Sequence, residues 1–224
     1  DPILDPINYG FTQSIIRYSE LRKKYPDIHI MMGTGNVTEL THADTTGMTM
    51  ILMGIISELK INHILTTEVS KHCSTVIKES DLARRIILAA NQENTTPKHI
   101  NSGLLTTHEE DPVKYNQEEV KELYEQVNDS NYRIMNTDDG VHLFNKNSLQ
   151  TAIDPFDFFK RIDVGDDTGH AFYLGVELAR AQIAYQLGKS YEQDEELKWG
   201  CIVDEKIDDK LTFKEQGSTY KKKK

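Results

Sequence analysis

The sequence has few cysteines, an excess of acidic over basic residues and no long apolar run. Its two cysteines among 224 residues, Cys73 and Cys201, are too few for a secreted scaffold held by disulfides, so a reducing, cytoplasmic location is expected. The formal net charge of −10 argues against nucleic acid as a partner, because duplex binding depends largely on Lys and Arg neutralising phosphates. No apolar run reaches the roughly 18–20 residues that cross a bilayer, so no membrane partner is expected.

Metal-binding motifs are also missing. The eight histidines form no HxH, HExxH or HxxxH arrangement with cysteine, and no metal site is therefore predicted. A hydrophobic fraction of 38% is nevertheless enough for a substantial core. The chain opens on DPILDP, inside an apolar segment and without an initiating methionine, which leads us to expect the C-terminal portion of a longer protein.

Three short apolar runs in the first half are each followed by a helical pattern. ILDPI precedes a helix predicted at about residues 13–24, IHIMM one at about 47–60, and INHIL helical sequence that extends to about 91. Strands that alternate with amphipathic helices at a spacing of about 30 residues are typical of parallel βα units, in a barrel or an open doubly wound sheet. The fold class predicted for residues 1–92 is therefore α/β.

The second half has a different pattern. Residues 93–115 are polar and are predicted to be a linker. A charged helix at about 116–127, a hairpin around an Asp-Asp-Gly turn, a strand in SLQTAI and a helix at about 169–187 predict a smaller α+β domain over 116–203. Residues 204–224 are predicted to be a flexible tail. The apolar stripe predicted for the last helix consists of Phe172, Val176, Ala179, Ile183 and Leu187, with Gly188 as the C-terminal cap.

The predicted strands of the first half end in polar residues. MMGTGNVTEL does not match the dinucleotide-binding fingerprint, because Thr38 occupies the position of its third glycine. Instead, Asp5 and Asn8 follow the first strand, Asn36 follows the second and Glu68 follows the third. Since parallel α/β folds bind ligands at the carboxyl ends of their strands, these four side chains are predicted to form a ligand-binding cluster.

A purely structural role for these residues is the alternative. Asp5 and Thr45 would then cap helices, and Asn36 would adopt a turn conformation. His72 and Cys73 are adjacent in sequence, but a nucleophile needs its base across space, so both are expected on a helix surface.

The start of the last helix, DDTGHAFYLG, is rich in candidate residues. Asp166, Asp167 or Thr168 is expected to cap the helix, and His170 in the first turn is a secondary functional candidate. Glu177 and Arg180 are expected to pair on the exposed face of this helix. Residues 191–195, YEQDE, are interpreted as a solvated connector, with a partner-facing loop near Trp199 as the alternative.

LDPINYGF, MMGTGNVTEL and the strand segment 61–69 together resemble the last three strands of the pterin-binding barrel. Dihydropteroate synthases and the methyltetrahydrofolate–corrinoid methyltransferases share this fold. The sequence is most similar to the archaeal dihydropteroate synthase-related proteins of methanogens, which carry such a barrel and a distinct C-terminal domain. The resemblance implies the C-terminal three βα units of a TIM-barrel-like domain, whose remaining strands come from a missing N-terminal half or from another chain. A homo-oligomer is left open.

The resemblance also implies a reduced pterin as ligand. Asp5 matches the Asp of the LDPG-type segment, which accepts hydrogen bonds from the pterin in the synthases, and Asn36 resembles the pterin-contacting Asn of a GxSNVS segment in the methyltransferases. The synthases also have a Ser-Arg-Lys segment and a terminal Arg-x-His pair, where this chain has Gly-Asn-Val and Thr-Thr-Glu. Ordinary synthase activity is therefore not expected, and no catalytic residue is assigned. A pterin-dependent transferase of methanopterin or one-carbon metabolism is the first hypothesis, and a non-catalytic assembly module with a vestigial barrel is the alternative.

Overall fold

The computed structural model describes residues 2–112 and 114–204 of the chain. Within them the chain forms two compact units. The first comprises the described part of Asp1–Thr106 together with Trp199–Asp204, and the second comprises Thr107–Lys198. The predicted tail, except for its first residue, lies outside the described residues. The fold is a mixture of α-helices and β-strands, and each unit has its own sheet.

Helices dominate the described part of the first unit. Its helices and strands are, in chain order, α1 (Phe11–Lys24), β1 (Met31–Gly33), α2 (Gly35–Glu39), α3 (Thr45–Glu58), β2 (His63–Leu65) and α4 (Val76–Glu93).

The sheet of the first unit is parallel. β1 pairs with β2 in the register Met31↔His63, and a single parallel bridge joins Ile3 to Gly33 on the other side of β1. The backbone N–H of Leu4 donates to the Gly33 carbonyl (2.9 Å). Three extended segments therefore lie side by side with β1 in the middle, which is the order expected of successive parallel βα units.

Only one face of this parallel sheet is buried. Leu4 and Met32 are fully buried in a core with side chains of α3 and α4. On the other face, Ile3, Met31 and Leu65 are 39%, 40% and 46% exposed. Because successive residues of a strand point to opposite faces, this alternation means that the helices cover one side of the sheet and leave an apolar side open.

The end of the described chain returns to the first unit. The Cys201 N–H donates to the Gly103 carbonyl (2.7 Å), and the Lys78 ammonium pairs with Asp204 (2.6 Å). Gly200 has a φ of +57°, and a Cβ there would collide with the Gly103 carbonyl, so this close approach requires glycine. The sequence had instead suggested that residues 199–203 belong to the second domain and Asp204 to the tail.

The second unit combines an antiparallel sheet with helices. Its elements are, in chain order, α5 (Gln117–Gln126), β3 (Arg133–Thr137), β4 (Gly140–Asn145), β5 (Ser148–Ala152), α6 (Pro155–Phe158) and α7 (Thr168–Leu187).

The strand order in the second unit is β3-β4-β5. The hairpin around the Asp-Asp-Gly turn and the third strand in SLQTAI are confirmed. Gly140 ends the turn at a φ of +140°, a conformation that side chains rarely adopt. Every residue of the central strand β4 is buried, so both faces of this sheet are covered. In contrast, the sheet of the first unit is covered on one face.

The stripe predicted for α7 was wrong. The buried residues are instead Leu174, Glu177, Leu178, Ala181 and Ala184. Phe172 is 75% exposed. Apolar residues occur around most of this helix, so its sequence contains more than one apolar stripe. The stripe that includes Leu174 and Leu178 is the one that is buried. Gly188 ends the helix in the left-handed conformation (φ +61°), as predicted. None of the helices in the described part of the chain is long and apolar enough to cross a bilayer.

Candidate functional site

The three parallel segments of the first unit end together. Besides the Leu4–Gly33 bond, the Thr34 N–H donates to the Leu65 carbonyl (2.8 Å). The residues that follow the segments, 5–8, 34–36 and 66–68, therefore emerge at the same edge of the sheet, which we call the carboxyl edge. All four residues predicted to bind a ligand belong to it.

Asp5 is held at this edge by α1. Its Oδ2 atom accepts hydrogen bonds from the Ser14 hydroxyl (2.8 Å) and from Nη2 of Arg17 (2.6 Å). Its backbone N–H donates to the Ser14 oxygen (3.0 Å). The hydrogen bonds from Arg17 and then Ser14 lower the pKa of the Asp5 carboxyl below its ordinary value, so it is ionised at neutral pH. Both bonds end on Oδ2, which leaves Oδ1 as an acceptor.

Gly10 makes room for this carboxylate. It precedes α1 with a φ of +111°, and a Cβ added there would lie 2.9 Å from Oδ2 of Asp5. Glycine is required for both reasons, since other residues rarely adopt this φ and any side chain would displace the carboxylate.

Asn36 lies in the first turn of α2 and points toward the first segment. Its Nδ2 donates to the Leu4 carbonyl (3.1 Å), which belongs to the residue before Asp5. Its neighbour Gly35 faces the third segment, because a Cβ there would lie 2.7 Å from the Thr67 hydroxyl. The end of β1 therefore contacts the ends of both neighbouring segments.

Asn8 and Glu68 lie at the edge but have evident structural roles. Asn8 is exposed and adopts a left-handed turn conformation (φ +66°), which asparagine tolerates better than most residues. Oε1 of Glu68 accepts from the Ile77 N–H (2.8 Å) in the first turn of α4, so the carboxylate satisfies an unpaired donor at a helix start. Close to Glu68, the Thr66 hydroxyl is buried without a hydrogen-bond partner among the described residues.

Several residues of this edge were not predicted from the sequence. Ser14 and Arg17 are two of them. Both lie in the first half of α1, the helix that follows the first segment, and their spacing of three residues puts them on the same face of that helix. Glu39 accepts from the backbone N–H groups of Val69 and Ser70 (both 2.8 Å). These bonds lower the pKa of the Glu39 carboxyl to about 2 and join α2 to the loop after β2. No sequence motif predicts this contact.

His72 and Cys73 belong to a short 3₁₀ helix before α4. His72 is exposed there, as expected, but Cys73 is fully buried, so the expected surface position was wrong for the cysteine. Burial raises the pKa of the Cys73 thiol, with the nearby Glu39 carboxylate acting in the same direction, so the thiol is protonated and a poor nucleophile. A ring nitrogen of His72 lies 3.1 Å from the Thr38 carbonyl.

A fully buried carboxylate, Glu79, lies beneath this surface. It accepts hydrogen bonds from the hydroxyls of Thr45 (2.9 Å), Thr49 (3.3 Å) and Thr75 (2.7 Å). Thr45 is thus a partner of Glu79 and not the cap of α3, because the residue at the cap position is Asp44. All three donors are satisfied within the core, which indicates a structural role.

The second unit has a groove of about 290 Å³ beside β3. It is lined mainly by apolar and aromatic side chains, among them Leu123, Met135 and Tyr191. Its one basic residue, Arg133, is held by two bonds to the Asp129 carboxylate (both 2.8 Å). With this cation already paired, the groove offers less chemistry than the carboxyl edge.

Of residues 191–195, Glu192, Asp194 and Glu195 are exposed, as expected of a solvated connector. Glu177 and Tyr191, in contrast, do not lie where the sequence suggested. Glu177 is buried, accepting from Arg180 (2.6 Å) and from the Tyr191 hydroxyl (2.9 Å). Tyr191 is buried too, and its burial raises the pKa of its hydroxyl well above the usual range. The prediction of an exposed ion pair and of a solvated connector was therefore wrong at these residues. Asp167 caps α7 by accepting from the His170 N–H (2.9 Å), as expected of an acidic residue there.

No group of three or more His, Cys, Asp or Glu side chains in the described ranges is placed to hold a metal ion.

Comparison with known proteins gives one informative similarity. The chain is 30% identical over 223 residues to the uncharacterized protein MJ0107 of Methanocaldococcus jannaschii. The match covers 88% of this chain and 42% of that protein, so the chain spans less than half the length of its relative. No family model matches the chain. No solved structure matches it.

Proposed function

We propose that the carboxyl edge binds the ring of a reduced pterin, in a cytoplasmic enzyme related to dihydropteroate synthases that serves methanopterin or one-carbon metabolism. The observation that carries this proposal is the bond from Asn36 Nδ2 to the Leu4 carbonyl, which brings the amide next to Asp5. The two residues that match the pterin-binding motifs thus follow the ends of neighbouring parallel segments and are linked through the Leu4 carbonyl. The similarity to a Methanocaldococcus protein is in keeping with an archaeal family.

The chemistry of the two side chains suits a pterin. The low pKa of Asp5 keeps it ionised, and its Oδ1 has two lone pairs for the amino and ring N–H groups of the ligand. The Asn36 oxygen adds an acceptor, and its amide nitrogen is oriented by the Leu4 carbonyl. Asn8 and Glu68 are proposed only as neighbours of the ring.

The open face of the parallel sheet supports a barrel as the complete fold. Three βα units cannot close an eight-stranded barrel. An apolar sheet face and unpaired strand edges left in water would promote aggregation, so further strands are proposed to cover Ile3, Met31 and Leu65. They would come from upstream sequence or from another chain. Upstream native sequence without five more strand–helix units, in a protein that is monomeric in solution, would contradict this proposal.

The reaction is proposed to differ from that of the ordinary synthases. The Lys of the Ser-Arg-Lys segment is replaced here by Val37, and the Arg-x-His pair, which handles anionic substrate groups in that family, by Thr66, Thr67 and Glu68. Without those cations, pterin diphosphate displacement lacks the stabilisation of its leaving group. A different transfer to or from the pterin is therefore proposed.

Substitution of Asp5 tests the pterin site. In the full-length protein, Asp5→Ala is expected to weaken the binding of reduced pterins roughly 10- to 100-fold, since hydrogen bonds to a charged group contribute about 1.5–3 kcal/mol. Isothermal titration calorimetry measures the change. Asp81→Ala is the matched control, because its carboxylate has the same 42% exposure and also pairs with an arginine. Equal affinity of the Asp5 variant and the wild type would reject the assignment.

The alternative, a non-catalytic assembly module, is favoured by the surface of the second unit. Phe156, Phe159 and Phe172 are 83%, 74% and 75% exposed. Aromatic side chains are enriched at surfaces that bind another protein. Absence of binding at millimolar concentrations of reduced pterin would favour this function over the first.

A further inference from the structure

The groove beside β3 in the second unit has an apolar interior. It has a volume of about 290 Å³, and its walls include Leu123 and Val127 of α5, Met135 and Phe144 of the sheet, and Tyr191. Leu123 is 40% exposed, so part of this apolar surface is open to solvent. Pockets for small-molecule ligands have volumes of about 300–1,000 Å³. The groove lies at the bottom of that range, which suits one large side chain better than a whole cofactor.

The outer edge of β3 is already hydrogen-bonded. β3 is an edge strand, and such an edge can bind a peptide as an additional strand. Here, however, the Ile134 N–H donates to Gln193 Oε1 (2.9 Å), and Gln193 Nε2 donates to the Tyr132 carbonyl (3.3 Å). The Asn136 carbonyl accepts from the Tyr115 N–H (3.1 Å). An occupant of the groove therefore binds through its side chains and not by extending the sheet.

Acidic side chains border the groove. Helix α5 carries four glutamates and one lysine. Val120 lies on its buried side. At about 100° per residue, Leu123 follows beside Val120, and Glu119 and Glu122 lie on the outer flank of Leu123. Glu192, from the loop after α7, also lines the groove and is exposed.

The groove is therefore negatively charged. Its one basic residue, Arg133, donates two hydrogen bonds to the Asp129 carboxylate (both 2.8 Å), which neutralises it locally. Acidic side chains repel the phosphates of a nucleic acid and the anionic headgroups of a membrane. A partner that matches both the shape and the charge of the groove presents an apolar side chain next to cations.

We propose that this groove docks a basic segment of a partner protein, in which one aromatic or large aliphatic residue is followed directly by Lys or Arg. The apolar residue fills the space between α5 and β3, and the cations face Glu119, Glu122 and Glu192. Burial of the apolar residue supplies most of the affinity, while the exposed charges select the partner and its orientation. This docking does not depend on whether the carboxyl edge binds a pterin.

Three short peptides test the groove: Phe-Lys-Lys-Lys, Ala-Lys-Lys-Lys and Phe-Gln-Gln-Gln, each with blocked ends. They are titrated into the 224-residue chain, and the methyl NMR signals of Leu123, Val127 and Met135 report binding in the groove. Phe-Lys-Lys-Lys is expected to bind at least about tenfold more tightly than Ala-Lys-Lys-Lys, because a side chain buried in a pocket dominates the affinity of an interface. It is expected to bind about threefold or more tightly than Phe-Gln-Gln-Gln, with an affinity that falls as salt is raised.

Two variants of the groove have matched controls. Leu123→Arg places a like charge in the groove and is expected to weaken Phe-Lys-Lys-Lys at least about tenfold. Leu88→Arg adds the same charge at an exposed leucine of α4 (54%) and is expected to leave the affinity nearly unchanged. Glu192→Gln is expected to weaken the peptide about twofold to fivefold, and it carries the test if Leu123→Arg does not fold. Glu195→Gln, in the same loop but outside the groove lining, is expected to have a smaller effect.

The chain itself contains an aromatic residue followed by lysines, Tyr220 and Lys221–Lys224. The titrations are therefore repeated with Tyr220→Ala, so that this segment cannot hide binding of the peptide. Tighter binding to that variant would support the proposal and identify this segment as one occupant.

Three results would overturn the proposal. Equal affinity for Phe-Lys-Lys-Lys and Ala-Lys-Lys-Lys would mean attraction to the net charge of −10 alone. Equal affinity for Phe-Lys-Lys-Lys and Phe-Gln-Gln-Gln would mean that the groove has no preference for a basic partner. Absence of binding to either form of the chain at about 1 mM peptide would mean that the groove docks no such segment.

Discussion

The two sheets of this protein differ in where they put their polar groups. In the parallel sheet of the first unit, polar side chains lie beyond the strand ends, and one face of the sheet is open. In the antiparallel sheet of the second unit, polar side chains lie within the strands. His142 of β4 is buried between the hydroxyls of Thr137 (2.7 Å) and Thr151 (2.9 Å).

This difference distinguishes polar groups that stabilise the fold from polar groups that can bind a ligand. Polar groups inside a covered sheet depend on one another for hydrogen bonds, because an unpaired buried group is destabilising. Asn136 Oδ1 and Gln150 Oε1 are two exceptions, buried without a partner among the described residues. Polar groups beyond the strand ends are free of that requirement and can keep donors or acceptors for a ligand, as Asp5 does. The first unit is therefore the better place to look for chemistry, even though the second has the more complete core.

The largest expected effect contrasts Leu143 with Leu65. Leu143 in β4 is fully buried, whereas Leu65 in β2 is 46% exposed on the open face. Leu143→Ala is expected to lower the free energy of unfolding by about 2–5 kcal/mol, through lost burial and the cavity left behind. Leu65→Ala is expected to lower it by less than about 1 kcal/mol. Urea unfolding of the 224-residue chain measures both.

The same pair of variants tests the barrel. If further strands cover the open face in the full-length protein, the effect of Leu65→Ala should rise there toward that of Leu143→Ala. A large effect of Leu65→Ala in the shorter chain would instead mean that this face is already covered, and the contrast between the two sheets would be lost.

The second prediction concerns two glycines of the first unit. Gly10→Ala is expected to destabilise the chain by about 1–3 kcal/mol, because alanine rarely adopts the required φ, and to weaken pterin binding by displacing Asp5. Gly47→Ala in α3 is the control, since a Cβ there meets nothing within 4 Å. It is expected to stabilise the chain by about 0.5–1 kcal/mol. Thermal unfolding and pterin titration of each variant provide the readouts.

Sequence patterns located the parallel segments and their polar ends because both depend on local order. An apolar run followed by Asp5 or Asn36 can be recognised without knowing what it contacts. The partners of these residues could not be recognised. The contact of Arg17 with Asp5 depends on the direction in which α1 starts after Gly10. Glu39 and Val69 belong to different segments that only the tertiary fold brings together.

In α7, by contrast, the sequence pattern did not predict which residues are buried. Its apolar residues form more than one stripe, so periodicity alone did not decide which stripe the sheet would bury. The sequence spacing of Glu177 and Arg180 correctly suggested a pair, which forms at 2.6 Å. Their burial depends on Tyr191, which returns from a loop after the helix. Local pairing is therefore predictable where the tertiary environment is not.

The smallest expected effects are two pH dependences of the stability, one from each unit. Burial lowers the pKa of His142 below its ordinary value of 6.5, so below pH 6.5 the unfolded chain binds a proton that the folded chain does not. The stability contribution is therefore full above pH 6.5 and is lost as the pH falls through the folded value. For Glu39, whose pKa falls from 4.5 to about 2, the contribution is full above pH 4.5 and is lost toward pH 2. Urea midpoints measured against pH should flatten just below pH 6.5 in His142→Gln and below pH 4.5 in Glu39→Gln. If His142→Gln left the pH profile unchanged, the histidine would have to be solvated in the folded state. Water would then reach β4, and both faces of this sheet would not be covered.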